Sequence, residues 1–147
     1  MHGWRRLLLR CFGAEIGPGS RVYPRARIWA PWNLRTGKVA AIADDAEIYN
    51  PALVELGDYV IVSQGAYLCA ASHDYRQWTF PLISKPILIG PHAWVAARAM
   101  IQMGITIGEG CVVGLGSVVT HDLPAWTVCA GNPCCVVRHY EKSEDGC

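Results

Sequence analysis

Aliphatic side chains recur at every sixth position through the second half of the chain, at Ile89, Val95, Ile101, Ile107, Val113 and Val119. Four residues after each stands Ala93, Ala99, Ile105, Cys111, Ser117 or Leu123, mostly small, and glycine follows directly at Gly90, Gly108 and Gly114. A period of six is neither the 3.6 of an amphipathic helix nor the two of a half-buried strand. It suits a triangular parallel β-helix, in which each hexapeptide forms one flat side and three close a coil. The aliphatic then fills the interior, and the small residue leaves room near a corner. Alternating strands of a β-sandwich leave the glycines unexplained.

The same phase begins at Ile16 and runs through Val22, Ile28 and Leu34. Residues 35–41 spend two extra positions before Ile42 and Ile48 resume it, and a second slip replaces Val54 by Leu56, ahead of Val62 and Leu68. Both slips read as corner insertions that bulge outward. About five coils at ~4.8 Å per rung predict a prism on the order of 25 Å tall. The repeat breaks after Ser72-His73-Asp74, and residues 74–86, with Trp78, Phe80 and Pro81, form an extruded loop. A loop of this length is usually functional or disordered. Its aromatics point to packing on a neighbouring subunit.

Residues 4–12 (WRRLLLRCF) predict a short helix with Leu7, Leu8, Leu9 and Phe12 on a broad apolar face and Arg5, Arg6 and Arg10 around it. As a cap over the first coil it covers apolar interior and an unpaired strand edge. The weaker alternative is a basic contact with a membrane surface, for which so short a helix is a poor anchor. The expected organisation is a cap over residues 1–15, the β-helix over 16–138 and a polar tail over 139–147, frayed from 141. Within it, residues 130–133 form a turn and 136–138 start a last strand or helix.

Composition narrows the function classes. The chain has 147 residues, 52% hydrophobic and 17% charged, with a net charge of +1. That length suits one core, and without a basic stripe nothing points to nucleic acid. No apolar run approaches the roughly 20 residues of a membrane span, so no stable membrane insertion is expected. The first residues lack the features of a signal peptide, which makes the cytoplasm the default. Seven cysteines without a CxxC pair suit reduced thiols.

The stretches SHD at 72–74, AWV at 93–95, VGLGSVVT at 113–120 and AGNP at 130–133 resemble the hexapeptide-repeat acyltransferases, from about residue 4 to 138. Within them, LLLRCFGAEIG, PWNL and SQGAYLCAASHDY are most similar to the colanic-acid-type sugar O-acetyltransferases, cousins of the maltose, galactoside and nodulation-factor acetyltransferases. The resemblance implies an all-β, left-handed parallel β-helix, although general chirality rules would favour the right hand. It also implies a homotrimer with active sites between subunits and acetyl-coenzyme A as donor, with no metal. The acceptor class is a sugar or oligosaccharide hydroxyl, as in exopolysaccharide precursors. The chain starts nearer its first repeat than that subgroup, which suggests a missing N-terminal segment.

Transfer of an acetyl group from a thioester to a hydroxyl needs a base for the hydroxyl proton and a donor for the developing oxyanion. Histidine suits the first task near neutral pH. His2 is terminal, His92 sits at a variable repeat position, and His121 and His139 lie beyond the last repeat. His73 stands where the repeat breaks; its position and the resemblance make it the catalytic base, with direct attack and no covalent enzyme intermediate. Cys69 has no basic partner in sequence to lower its pKa and reads as core filler.

The resemblance puts Trp94 against the pantetheine arm of coenzyme A, with Gly114, Gly116, Ser117 and Thr120 along it and Arg138 at a phosphate. Leu115 stands where that family usually has alanine, and Cys135 where it has arginine or lysine. For the acceptor the candidates are Tyr49, Asn50 and Asp74. Two alternatives remain beside the acetyltransferase: a noncatalytic scaffold, and a zinc hydratase of the carbonic anhydrase type. The latter needs three histidines per site, and His73 and His92 are far apart with no H-x4-H spacing.

Overall fold

The computed structural model describes residues 2–143, and it is a three-sided prism of short parallel strands, the class that the period-six pattern predicts. The first side stacks Glu15–Ile16, Leu34–Thr36, Val54–Leu56, Ile87–Ile89 and Thr106–Ile107. The second stacks Arg21–Val22, Ala41–Ile42, Ile61–Val62, Trp94–Val95, Val112–Val113 and Thr127–Gly131, and the third Arg27–Ile28, Glu47–Tyr49, Tyr67–Cys69, Met100–Gln102 and Val118–Val119. That makes five complete coils and part of a sixth. A last strand, Cys134–His139, folds back antiparallel on Thr127–Gly131.

Register carries each buried aliphatic directly over the next. Val22, Ile42, Val62, Val95 and Val113 pair in sequence down the second side, and all are buried. The glycines answer a second constraint, because successive coils approach backbone to backbone. A Cβ on Gly57 would lie 2.6 Å from the Pro91 nitrogen and 2.9 Å from its Cα. One on Gly108 would lie 2.3 Å from the Ala125 nitrogen.

The two slips fall elsewhere than the pattern predicts. Ile16 pairs with Thr36 rather than Leu34, so the extra residues precede Leu34, in the 3-10 turn Pro31–Asn33, and not in 35–41. Nor do they bulge outward. Ala30, Asn50 and Ala70 are fully buried at successive coils of this corner, and both Val54 and Leu56 face the core. The corner is widened from inside. The Asn50 side chain accepts from the Ala30 amide at 2.9 Å and donates to the Ala30 and Asn33 carbonyls at 2.8 and 3.1 Å, which satisfies the polar groups that such widening buries.

The helix α1 (His2–Cys11) lies over the first coil, but with its faces inverted relative to expectation. Arg5 donates to the Ala26 carbonyl, Arg6 to Ser20 at 3.4 Å and Arg10 to Ile16. Of the apolar set only Leu9 is buried, whereas Trp4, Leu7, Leu8 and Phe12 face solvent. The reason is the edge itself: a terminal coil presents backbone carbonyls without a further strand to pair them, and guanidinium donors satisfy these where leucines cannot. At the other end Tyr140 packs edge-on against Trp126, with ring centroids 5.9 Å apart. The polar tail expected at 139–147 lies, for residues 144–147, outside the described residues.

Because its Cβ would meet backbone and not a movable side chain, Gly57→Ala is expected to lower stability by about 1–3 kcal/mol, the usual cost of overpacking. Denaturant unfolding monitored by circular dichroism measures it.

Candidate active site

Where the repeat breaks, the chain makes a hairpin. Ala71–His73 pairs antiparallel with Leu82–Ser84, and His73 faces Leu82 across it. Between the two strands Asp74 organises the turn. Its Oδ1 accepts from the amide and Nε of Arg76, both at 3.1 Å, and its Oδ2 from Gln77 at 3.0 Å. Those bonds, Gln77's foremost and Arg76's next, hold the Asp74 carboxyl below the usual aspartate range. Asp74 therefore shapes the loop, and both oxygens expected to meet a sugar already have partners.

The loop in turn sets the state of the histidine. His73 Nδ1 lies 2.6 Å from the carbonyl oxygen of Phe80. A carbonyl only accepts, so Nδ1 carries a proton, and of the two neutral tautomers the contact selects the one whose lone pair is on Nε2. Beside the hairpin a cavity of about 290 Å³ is lined by Cys69, Ala71, Ser72, Gln102 and Met103. Tyr49, Cys69 and Gln102 pair across three coils of the third side, so Cys69 faces the outer surface and is not core filler. A strand alternates its faces, and Leu68, not Cys69, fills the interior here. Tyr67 is pushed well above the ordinary tyrosine value, first by a hydrogen bond with Cys69 and then by burial.

The second side carries a different surface. Trp94, Val112, Val128 and Arg138 pair in one row. Three strand spacings put the ends of this row roughly 14 Å apart. The indole Nε1 of Trp94 donates to Ser63 Oγ at 2.9 Å, which fixes the ring on the surface. Two residues along runs a row of small residues, where Gly114 approaches Ala130 and Ala130 pairs with Cys135. Cys135 thus stands exposed at the end of the row, on the same strand as Arg138. Gly116, at positive φ in the next turn, has nothing near its missing side chain, and Leu115 beside it is 76% exposed.

The remaining expected residues divide. Thr120 lies on the third side just beyond Val119, which pairs with Ile101, and so shares a surface with Gln102 and Cys69 rather than with Trp94. Ser117 is buried, and its hydroxyl accepts from the Gly131 amide at 3.1 Å, which braces the AGNP turn. Asn50 is fully buried in its corner, with its side-chain amide bonded to Ala30 and Asn33. Tyr49 is half-buried against Trp29, edge-on at 5.4 Å. Ser63, Gln102 and Met103 went unremarked in sequence; a count of coils would have found Ser63, since Val62 pairs with Val95.

Buried thiols cluster at the C-terminal end, with Cys111 and Cys129 sulfurs 3.9 Å apart. Burial pushes the Cys111 thiol up to about 12 and raises Cys134 too, which leaves both unreactive. Among the described residues no three His, Cys, Asp or Glu side chains group to hold a metal ion, and no helix is long and apolar enough to cross a membrane.

No family profile matches the chain. It is 40% identical over 144 residues to WcaF of Escherichia coli (strain K12), whose name assigns it provisionally to colanic acid biosynthesis as an acetyltransferase; the match spans 98% of this chain and 79% of WcaF. It is 30% identical over 137 residues to the galactoside O-acetyltransferase of the same organism, across 91% of this chain and 68% of the relative. Among solved structures, the hexapeptide-repeat acetyltransferase VCA0836 of Vibrio cholerae O1 biovar eltor, complexed with acetyl coenzyme A, superposes with a TM-score of 0.90 at 29% identity, over 97% of this chain and 79% of that one.

Proposed function

The chain belongs to the hexapeptide-repeat acetyltransferases, and from that premise we propose that it moves the acetyl group of acetyl-coenzyme A to a hydroxyl of a sugar or oligosaccharide, with His73 as general base. The observation that carries the reading is the His73–Phe80 hydrogen bond, which leaves Nε2 ready to take a proton. The acceptor oxygen attacks the thioester carbonyl as its proton passes to Nε2. Collapse of the tetrahedral adduct breaks the carbon–sulfur bond, and the proton returns to the departing thiolate. The named relatives, one in colanic acid biosynthesis and one acting on galactosides, support a sugar acceptor in polysaccharide or oligosaccharide biosynthesis.

Coenzyme A suits the second side. Trp94 offers an apolar wall, the row around Gly114 allows close backbone approach, and Arg138 stands a pantetheine-scale distance away for a phosphate. The base, however, stands on the hairpin that leaves the prism after Tyr67–Cys69 of the third side, and Thr120 follows that side's last strand. A flat-sided prism cannot fold two of its own sides onto one ligand. Packing the second side of one copy against the hairpin and third side of the next unites them; a heterologous contact closes into a ring when its rotation allows, and the ring of three is the trimer that the family resemblance implies. Exposed Trp78 and Phe80 on the hairpin, otherwise without a surface to cover, suit that interface.

Replacement of the base tests the chemistry: His73→Ala is expected to lower acetyl transfer by roughly 10²- to 10⁴-fold while calorimetric coenzyme A affinity is retained. Wild-type turnover with a competent sugar acceptor would remove His73 from the mechanism. Cys135→Arg should restore a cation at the end of the small-residue row, tightening coenzyme A by roughly ten- to a hundredfold, the worth of one charge-assisted hydrogen bond, and dephospho-coenzyme A less. Equal gains for both would count against a phosphate contact there. Light scattering should give about three times the 16.1 kDa chain mass. Loss of the Trp78 and Phe80 side chains should weaken assembly and turnover together; a fully active monomer would contradict the shared site.

A further inference from the structure

We propose that the N-terminal end of the prism is a docking face for an anionic lipid bilayer. Its apolar part is the outer stripe of α1, where Trp4, Leu7, Leu8 and Cys11 follow one another at the spacing of a single helix face, with Phe12 next. Trp4 is 70% exposed and Phe12 60%. Trp32, 62% exposed, extends the stripe, because its Cβ lies 3.0 Å from where Gly13, next to Phe12, would carry one. The face is held outward. Arg5, Arg6 and Arg10 on the opposite side are hydrogen-bonded to carbonyls of the first coil, so the helix cannot roll over to hide its leucines without stripping that edge.

Charge identifies the occupant. Residues 1–36 hold seven arginines and one glutamate, and residues 37–147 six lysines and arginines against eleven acidic residues. Arg25, Arg27 and Arg35 are ion-paired with Asp44, Asp45, Glu47, Glu55 and Glu15, so among the described residues the positive charges outside ion pairs at this end are Arg5, Arg6, Arg10 and Arg21. The positive charge that the prism's own carboxylates leave unpaired is thus concentrated at the helix end. A second copy seated end to end would set these arginines against their counterparts, which opposes self-association. An anionic bilayer accepts both components, taking tryptophan, leucine and phenylalanine at the headgroup boundary and drawing the basic coil toward it. In the ring of three proposed above, cyclic symmetry points all three ends the same way, and weak single contacts reinforce one another. The contact is interfacial and reversible, with no insertion across the membrane.

The test is co-sedimentation of the full chain with vesicles of equal parts phosphatidylcholine and phosphatidylglycerol, beside pure phosphatidylcholine, at low and high salt. Binding to the anionic vesicles that salt weakens is expected. Leu8→Glu, at an exposed position outside the site, should cut partitioning by about ten- to a hundredfold, as loss of one buried leucine would. Quenching of wild-type emission by lipids brominated in the acyl chains, reduced in Trp4→Phe, reports the same contact without depending on how the glutamate variant folds. The proposal is overturned if the chain ignores anionic vesicles, if it binds neutral ones equally, or if Leu8→Glu and Trp4→Phe change neither readout. Self-association that Leu8→Glu abolishes, in a chain that ignores vesicles, would assign the face to a second copy and overturn it as well.

Discussion

Everything in this molecule hangs on the distance between one coil and the next. Parallel strands two or three residues long cannot hold a sheet by themselves, so cohesion comes from stacking identical rungs at a backbone spacing of about 4.8 Å. That spacing admits one aliphatic per side in the interior and no Cβ at positions such as Gly57 and Gly108. The period of six is therefore a steric rule repeated at every side, and a departure from it has to be accommodated locally. The corner at Ala30, Asn50 and Ala70 does so by burying an amide whose hydrogen bonds run to the coil above.

The proposed chemistry sits where the rule is suspended. An extruded hairpin escapes the rung geometry, and there side chains take partners set by the loop instead of by the coil above or below. His73 takes its Nδ1 partner from Phe80, seven residues on, and Asp74 draws Arg76 and Gln77 into the turn that presents that carbonyl. A rigid prism with one irregular excursion can thus fix a tautomer: the scaffold supplies position and the loop the Nδ1 partner. A flat side offers half a cleft, and the Trp94 row and the His73 hairpin lie on different parts of one chain.

Periodicity made the prism legible, because burial on a repeating lattice depends on spacing alone: Val62, Val95 and Val113 fell into register as counted. Handedness came with the family resemblance, since a spacing of six has no hand. Side chains outside the core are harder to place, because a polar residue's surroundings depend on which backbone groups reach it. Asn50 and Ser117, candidates in a list of polar residues, are buried with partners in neighbouring turns. Cys69 reads as core from its lack of a basic partner alone, whereas the alternation within Tyr67–Cys69 turns it outward. The groove row from Trp94 to Arg138 depends on a bend back at the AGNP turn, which spacing cannot anticipate.

The helix shows the limit most sharply. A hydrophobic stripe on a helix ordinarily turns inward, because burying a leucine side chain is worth about 1.5–3 kcal/mol. At the open end of a β-helix that preference competes with unpaired carbonyls, each costing on the order of 1–3 kcal/mol if left buried without a donor. Ala26, Ser20 and Ile16 present such carbonyls, and Arg5, Arg6 and Arg10 reach them while Leu9 alone fills the interior. In this structure the strand edge is paired and Trp4, Leu7, Leu8 and Phe12 stay outside. The orientation of a terminal cap follows from what the edge lacks, and the apolar face it leaves outside, at the positive end of an otherwise acidic prism, is then available to something other than the protein's own core.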